Sequence, residues 1–376
     1  MLPFALRRPW LLLRDLWVDR DEPDLAKLRN TRAPEAFLWA ILPHAARTFS
    51  ACIILLPSRM ARSAAVGYLY CRILDTYEDL APTEAEGRRL LMAFAQRFGR
   101  KPGPLGPAPA LEGAKPIDHR DRSHLLLVEC CDRIDAIYAT LPAASQLAIL
   151  HLVRDMAGGM IWARKVFEAQ DGCLKSELQL DHYCHGVLGN PVAFAQRLIL
   201  ARELRPEERA NAMRVGEFVQ LANVTRDVEK DLARHVAYDD RLRPHLGHAL
   251  ARDPAADKET DVPVRAAVRS AREHMFLLAL ERAPAYTEML RQLEFRTFSL
   301  TRASSLLMLE FCDRYYRSCA KKVGHASWPG RGSSFRVLMS AFPAFLSHKR
   351  ALRRAGVIEA RLLQASKLPR TSQVKS

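Results

Sequence analysis

Two acidic clusters set in otherwise apolar stretches are where this sequence could do chemistry. The first is Asp75-Thr76-Tyr77-Glu78-Asp79; the second is Asp227-Val228-Glu229-Lys230-Asp231, preceded by Gln220 and Asn223. Carboxylates four residues apart lie on one face of a helix. Two such faces turned toward each other would hold Mg2+ ions, and Mg2+ holds diphosphates through their oxygens. That combination makes the chain a candidate enzyme of prenyl diphosphates.

At about 100° per residue, Tyr68, Arg72, Asp75 and Asp79 fall in one narrow stripe, with Glu78 beside it. The rest of that helix is Ala64, Ala65, Val66, Leu69, Ile73 and Leu74. A plain solvated acidic face would not be surrounded in this way, and a helix apolar on most sides is buried. In the second stretch Gly216, Gln220, Asn223, Asp227 and Asp231 share an arc of roughly 80°. Their surroundings are again apolar: Val215, Phe218, Val219, Leu221, Ala222 and Val224. Buried polar groups need partners. A metal ion would satisfy Asn223, Asp227 and Asp231 together, and Arg226 at the stripe's edge suits a phosphate. Metal ions neutralising a diphosphate allow its C–O bond to ionise to an allylic carbocation. The remaining wall must then be apolar and dry, so that water does not quench the cation.

The elements that must position these stripes read as helices. Apolar residues recur at helical spacing, strand-like alternation is scarce, and the fold class is all-α. Helices are expected near 35–55, 59–80, 84–98, 122–138, 143–169, 176–186, 191–202, 206–233, 263–291 and 296–321. Residues 101–116 hold five prolines and three glycines and read as a loop. Residues 252–263 read as a second loop. The acidic helices lie on opposite sides of the first loop, so a function needing both needs one domain. The expected organisation is an N-terminal amphipathic segment at 1–30, one helical domain at 31–345 and a basic C-terminal tail at 346–376, solvated and polar to its end.

Composition narrows the classes further. Of 376 residues 49% are hydrophobic, enough for a sizeable core. No apolar run approaches the ~20 residues that span a bilayer. Residues 1–17 loosely mimic a secretion signal, but Arg14, Asp15 and Asp19 interrupt it and no small-residue cleavage site follows. The segment is expected to pack on the domain or touch a membrane surface. A net charge of +15 carries no nucleic-acid recognition motif with it. Anionic substrates and anionic headgroups account for it, so peripheral contact with an anionic membrane is the expectation and nucleic acid is not. Eight cysteines without a CxxC pair suit reduced, buried thiols in the cytoplasm. His182 and His185 read as hydrogen-bonded structural groups, and Trp162, Met156 and Met160 as cavity or core wall.

Four segments in order carry a family resemblance. The stretch from Gln220 through Asn223, Arg226 and Asp227 to Asp231 resembles the second aspartate-rich motif of the squalene/phytoene synthase family. Asp75-Thr76-Tyr77-Glu78-Asp79, with Arg72 before it, resembles the first motif in its squalene-synthase form. Arg47-Thr48-Phe49 resembles the family's diphosphate-binding Ser-Arg-Ser/Thr-Phe segment. Tyr183-Cys184-His185, followed by Val187 and Gly189, resembles its Tyr-Cys-His segment.

The resemblance implies an isoprenoid synthase fold, a single helical bundle around a central cavity; a monomer is the expectation for its oligomeric state. It implies head-to-head coupling of two farnesyl diphosphates through presqualene diphosphate to squalene, with NADPH as reductant. By position, Asp75, Glu78, Asp79, Asn223, Asp227 and Asp231 would bind Mg2+. Arg47, Thr48, Arg72, Arg226 and Gln220 would meet the substrate diphosphate, and Tyr183 would steer a proton or stabilise the cation. There are departures. Lys230 stands where the family has Glu, with Glu229 one place early, and Gly189-Asn190-Pro191-Val192 replaces a Gly-rich continuation. Tyr70-Cys71-Arg72 is closer to phytoene synthases. Lys321-Lys322 only echoes the basic NADPH segment, and no GxGxxG unit offers another nicotinamide site. The rivals are a C20-using phytoene synthase, an enzyme stopping at presqualene diphosphate or hydroxysqualene, a terpene cyclase, and a non-catalytic assembly factor of the same fold.

Overall fold

The computed structural model describes residues 3–250, 261–293, 299–324 and 334–366. Helices α1 (Phe4–Trp17), α2 (Leu25–Asn30), α3 (Pro34–Ala46) and α4 (Thr48–Leu55) lead to the first acidic helix, α5 (Ser58–Leu80). There follow α6 (Glu84–Gln96), α7 (His119–Glu129), α8 (Cys131–Tyr138), α9 (Ala143–Ala169) and α10 (Glu177–Cys184). A π-helical turn, His185–Gly189, runs into α11 (Asn190–Leu200) and then the second acidic helix, α12 (Pro206–Ala233). A 3-10 turn at Asp240–His245 precedes α13 (Asp261–Gln292), α14 (Leu300–Lys322), α15 (Ser334–Ser340), α16 (Phe342–Leu346) and α17 (His348–Ser366). Among the described residues there is no strand, and one isolated bridge pairs Cys173 with Ala237.

Local chemistry sets many of the starts. Asp24, Thr83, Asp118, Ser176 and Ser299 each accept a hydrogen bond from a backbone N–H in the first turn that follows. Pro34 and Pro206 sit at first helical positions, where their missing N–H costs nothing. The core divides into two large apolar clusters. One is built around α3, α5 and α9, and the other around α12, α13 and α14.

The structure departs from the sequence expectations at particular places. The helix expected at 35–55 breaks at Arg47, whose φ of 51° turns the chain between α3 and α4. Holding a non-glycine residue there costs about 1–3 kcal/mol. The helix expected at 122–138 starts earlier, at His119, and breaks at Cys130. Of the loop expected at 252–263, residues 252–260 lie outside the described residues, and α13 is already helical from Asp261.

The expected solvated tail is a correction. α17 packs along α13, burying Ala351, Ala355, Ile358, Leu362 and Ala365. Its arginines reach buried carboxylates of α14, Arg354 to Glu310 at 2.5 Å and Arg361 to Asp313. The basic residues are therefore partly counter-ions of the core, which charge counting cannot reveal. At the other end α1 packs on α4 and buries Leu11 and Asp15, while Leu6, Trp10, Leu13 and Trp17 face outward. All eight cysteines are free and buried.

Candidate active site

α5 and α12 supply the polar end of one cavity of about 400 Å3. Asp75, Glu78 and Asp79 come from α5, and Gln220, Asn223, Asp227, Lys230 and Asp231 from α12. Arg47, Thr48, Arg72, Arg226 and Tyr183 join the same lining, so every site residue read from the sequence meets in one place. The rest of the wall is apolar, with Phe49, Ile53, Leu56, Met156, Phe194, Val219, Met289 and Met308 among its residues.

Burial controls the acids. It pushes Asp75 up to about 6, partly opposed by Arg72, and Asp231 up to about 7 with Asp227 and Asp79 adding to it. Glu78 rises to about 8 through burial and the neighbouring Asp79 and Asp75. Asp227 also bears a burial cost, yet it lies below the usual carboxylate range because Arg226 hydrogen-bonds it.

Guanidiniums already hold three of the carboxylates. Arg72 reaches Asp75 at 3.0 Å and also donates to the Ala45 carbonyl and the Tyr68 hydroxyl, each at 3.1 Å. Arg226 grips Asp227 through two bonds, at 2.8 and 2.5 Å, and lies 5.3 Å from the Tyr315 ring centre. Arg234 links the two helices by reaching Asp79 at 3.8 Å. Asn223 donates to Gln220 at 3.1 Å, and Thr48 and Tyr315 share a hydrogen bond of 3.1 Å.

Tyr183 is placed by close packing. The π turn that follows it threads between α9 and α12 on glycines. A Cβ on Gly159 would lie 2.5 Å from Gly186 Cα, and one on Gly216 would lie 2.4 Å from Gly189 Cα. The Tyr183 hydroxyl lies 3.2 Å from that of Tyr238, with ring centres 5.0 Å apart, and both line the cavity. Burial, with Glu78 near Tyr183, lifts both phenols well above their ordinary range.

The neighbouring histidines point away from this chemistry. His185 bonds Glu217 at 2.6 Å, and Glu217 in turn accepts from Arg282 at 3.0 Å. His182 stacks on Trp162, with ring centres 3.9 Å apart. Met156 lines the cavity and Met160 is buried in the core.

Sequence reasoning passed over several lining residues. Arg234 lies three residues beyond Asp231 on the same stripe, and helical spacing alone would have found it. Arg120 opens α7 and Tyr315 lies on α14, both distant in sequence from the acids, while Tyr238 follows Asp231 by seven residues but sits past the end of α12, outside its helical period.

Among the described residues no three carboxylate, imidazole or thiol groups form a metal cage of their own. The donors are hard oxygens on facing helices, in a cavity that also offers guanidiniums to phosphate. Mg2+ is commonly held by one or two carboxylates together with substrate phosphates, so this donor set fits it.

The model of the squalene/phytoene synthase family matches residues 42–310, more than half of the sequence. The chain belongs to that family. Its relatives include squalene synthases from Botryococcus braunii, 28% identical over 204 residues, and Bos taurus, 27% identical over 199. These alignments cover 52% and 51% of this chain, and 40% and 43% of the two relatives. A protein named inactive squalene synthase 2, from Arabidopsis thaliana, is 25% identical over 202 residues, 52% of this chain and 44% of its own length. The chain thus matches less than half the length of these curated relatives. Among solved structures, TcSQS in complex with the ligand BPH1237 superposes with a TM-score of 0.61 at 21% identity. That match covers 87% of this chain and 92% of TcSQS. The fold of this squalene/phytoene synthase family member is thus the all-α isoprenoid synthase fold. An inactive relative means that membership alone does not settle activity, and the residues in the cavity must carry that argument.

Proposed function

We propose that the chain is an active prenyltransferase that couples two farnesyl diphosphates head to head through presqualene diphosphate to squalene. One observation carries the reading: both carboxylate stripes and the guanidiniums open onto the polar end of one cavity whose remaining wall is apolar. In this reading Asp75, Glu78, Asp79, Asn223, Asp227 and Asp231 hold Mg2+, which neutralises the leaving diphosphate when bound. Arg47, Thr48, Arg72, Arg226 and Gln220 orient the diphosphate. The C–O bond breaks with its electron pair leaving on the diphosphate, and the allylic cation forms facing the apolar wall. The double bond of the second chain supplies the pair for the new C–C bond. In this reading Tyr183 and Tyr238, whose hydroxyls lie 3.2 Å apart on the cavity wall, steer the proton that ring closure releases, and the departing pyrophosphate accepts it. In the second half-reaction the C–O bond of presqualene diphosphate would break with its electron pair leaving on the second diphosphate, and a hydride from NADPH would quench the rearranged cation to give squalene.

An enzyme that stops at presqualene diphosphate is the second reading. Lys321 and Lys322, the one echo of a nicotinamide segment, are exposed at the end of α14 and are not part of the cavity lining. Incubation with farnesyl diphosphate and Mg2+, with and without NADPH, separates the two. Squalene formed only with NADPH supports the full reaction, presqualene diphosphate in both incubations supports the partial one, and no product with the C15 substrate refutes both.

A further inference from the structure

The α12 stripe carries cations as well as acids. At about 100° per residue, Lys230 and Arg234 fall on the cavity face with Asn223, Asp227 and Asp231, and Glu229 falls on the opposite side. The structure bears this out. Lys230 and Arg234 line the cavity and Glu229 does not. Glu229 is held outside by a half-buried ion pair with the buried Arg272, whose Nε also donates to the Thr225 carbonyl at 2.9 Å. The carboxylate next to Lys230 in sequence is therefore locked away and cannot swing in to replace it. The polar end then carries Arg47, Arg72, Arg120, Arg226, Lys230 and Arg234 against Asp75, Glu78, Asp79, Asp227 and Asp231. Arg72, Arg226 and Arg234 are engaged by Asp75, Asp227 and Asp79. Lys230 is an exposed ammonium between two acids on its own helix, facing the same space. An ammonium is a compact point charge with three donors on a flexible stem, well suited to a phosphate oxygen.

We infer that Lys230, supported by Arg234, takes the place of one divalent cation, so that a diphosphate meets the Lys230 ammonium directly. The inference rests on the reading of this cavity as a diphosphate site. It adds that position 230 sets how many metal ions accompany the diphosphate.

The test uses the full chain, Mn2+ as a spectroscopic stand-in for Mg2+, and inorganic pyrophosphate. Electron paramagnetic resonance counts the Mn2+ bound per protein at saturating pyrophosphate, and calorimetry without divalent ions measures pyrophosphate alone. The variants are Lys230→Gln and Lys230→Glu, with thermal melts to confirm that both stay folded. Wild type is expected to bind pyrophosphate without metal. Lys230→Gln should weaken that binding about tenfold or more, the size of a lost charge-assisted contact. Lys230→Glu should take up one additional Mn2+ with the pyrophosphate. An unchanged Mn2+ count in Lys230→Glu, with unchanged metal-free binding in Lys230→Gln, overturns the inference and leaves the diphosphate reading standing. A wild type that binds pyrophosphate neither alone nor with Mn2+ overturns both.

Discussion

Gly158 and Gly159 are neighbours on α9, and replacing each by alanine should have opposite consequences. A Cβ on Gly158 meets no atom within 4 Å. A Cβ on Gly159 would stand 2.5 Å from Gly186 Cα and 3.3 Å from Gly186 C, where ordinary contact begins at 3.4 Å. The obstacle is backbone, so no rotamer change relieves it, and the π turn would have to retreat by about 1 Å. It has nowhere to go, because its far side rests on α12, with a Gly216 Cβ position only 2.4 Å from Gly189 Cα. Both substitutions gain the same helix propensity, about 1 kcal/mol. The difference between them therefore isolates the overpacking cost, about 1–3 kcal/mol. Urea denaturation of the two variants measures it, with Gly158→Ala at or above wild-type stability and Gly159→Ala below it. Tyr183 lies three residues before Gly186, so a 1 Å displacement should also cost the coupling reaction roughly 100-fold. Equal stability and equal turnover of the two variants would refute the argument that glycine contacts position Tyr183.

Other outcomes follow from the same geometry. Arg272→Met leaves a partly exposed Glu229 without its partner and should cost about 1–2 kcal/mol in urea denaturation while Mn2+ and pyrophosphate binding persist; loss of that binding would contradict the outward placement of Glu229. Asp75, Glu78 and Asp231, raised to about 6, 8 and 7, bind more protons in the folded than in the unfolded chain. Their contribution to metal-free stability therefore falls as pH rises from ~4 to ~8. Metal binding needs these groups ionised, so the thermal stabilisation by Mg2+ with pyrophosphate should be larger at pH 8 than at pH 6, and the reverse order refutes the assignment. The outward stripe of Leu6, Trp10, Leu13 and Trp17 should seat α1 at a bilayer interface; wild type should float with anionic vesicles and a Trp10→Ser, Trp17→Ser variant much less, and no flotation of wild type contradicts it.

The two acidic helices were legible because period and burial agree there. Asp75, Asp79, Asn223, Asp227 and Asp231 interrupt apolar surroundings at helical spacing, and the structure brings them to one cavity. Arg234 obeys the same period and needed only a longer window. Tyr238, Tyr315 and Arg120 were hidden because no local pattern distinguishes a residue that meets the site only through tertiary folding. The break at Arg47 was hidden because neither Arg47 nor its neighbours Ala46 and Thr48 demand a positive φ, although Pro43, four residues earlier, already marks a weak point in the helix. α17 shows the converse. Its apolar period, Ala351, Ala355, Ile358, Leu362 and Ala365, was present, but arginines that pair with Glu310 and Asp313 disguised it as a solvated tail.

In the proposed reaction this cavity ionises a prenyl diphosphate between its two carboxylate stripes. Pyrophosphate release from farnesyl diphosphate, followed with and without Mg2+ in wild type and in Asp227→Asn, tests it most directly. Mg2+-dependent release is expected, with the carbon product joining two C15 chains, and a rate at least about 100-fold lower in the variant. Release that is indifferent to Mg2+ or to Asp227, or no release from wild type, would contradict it.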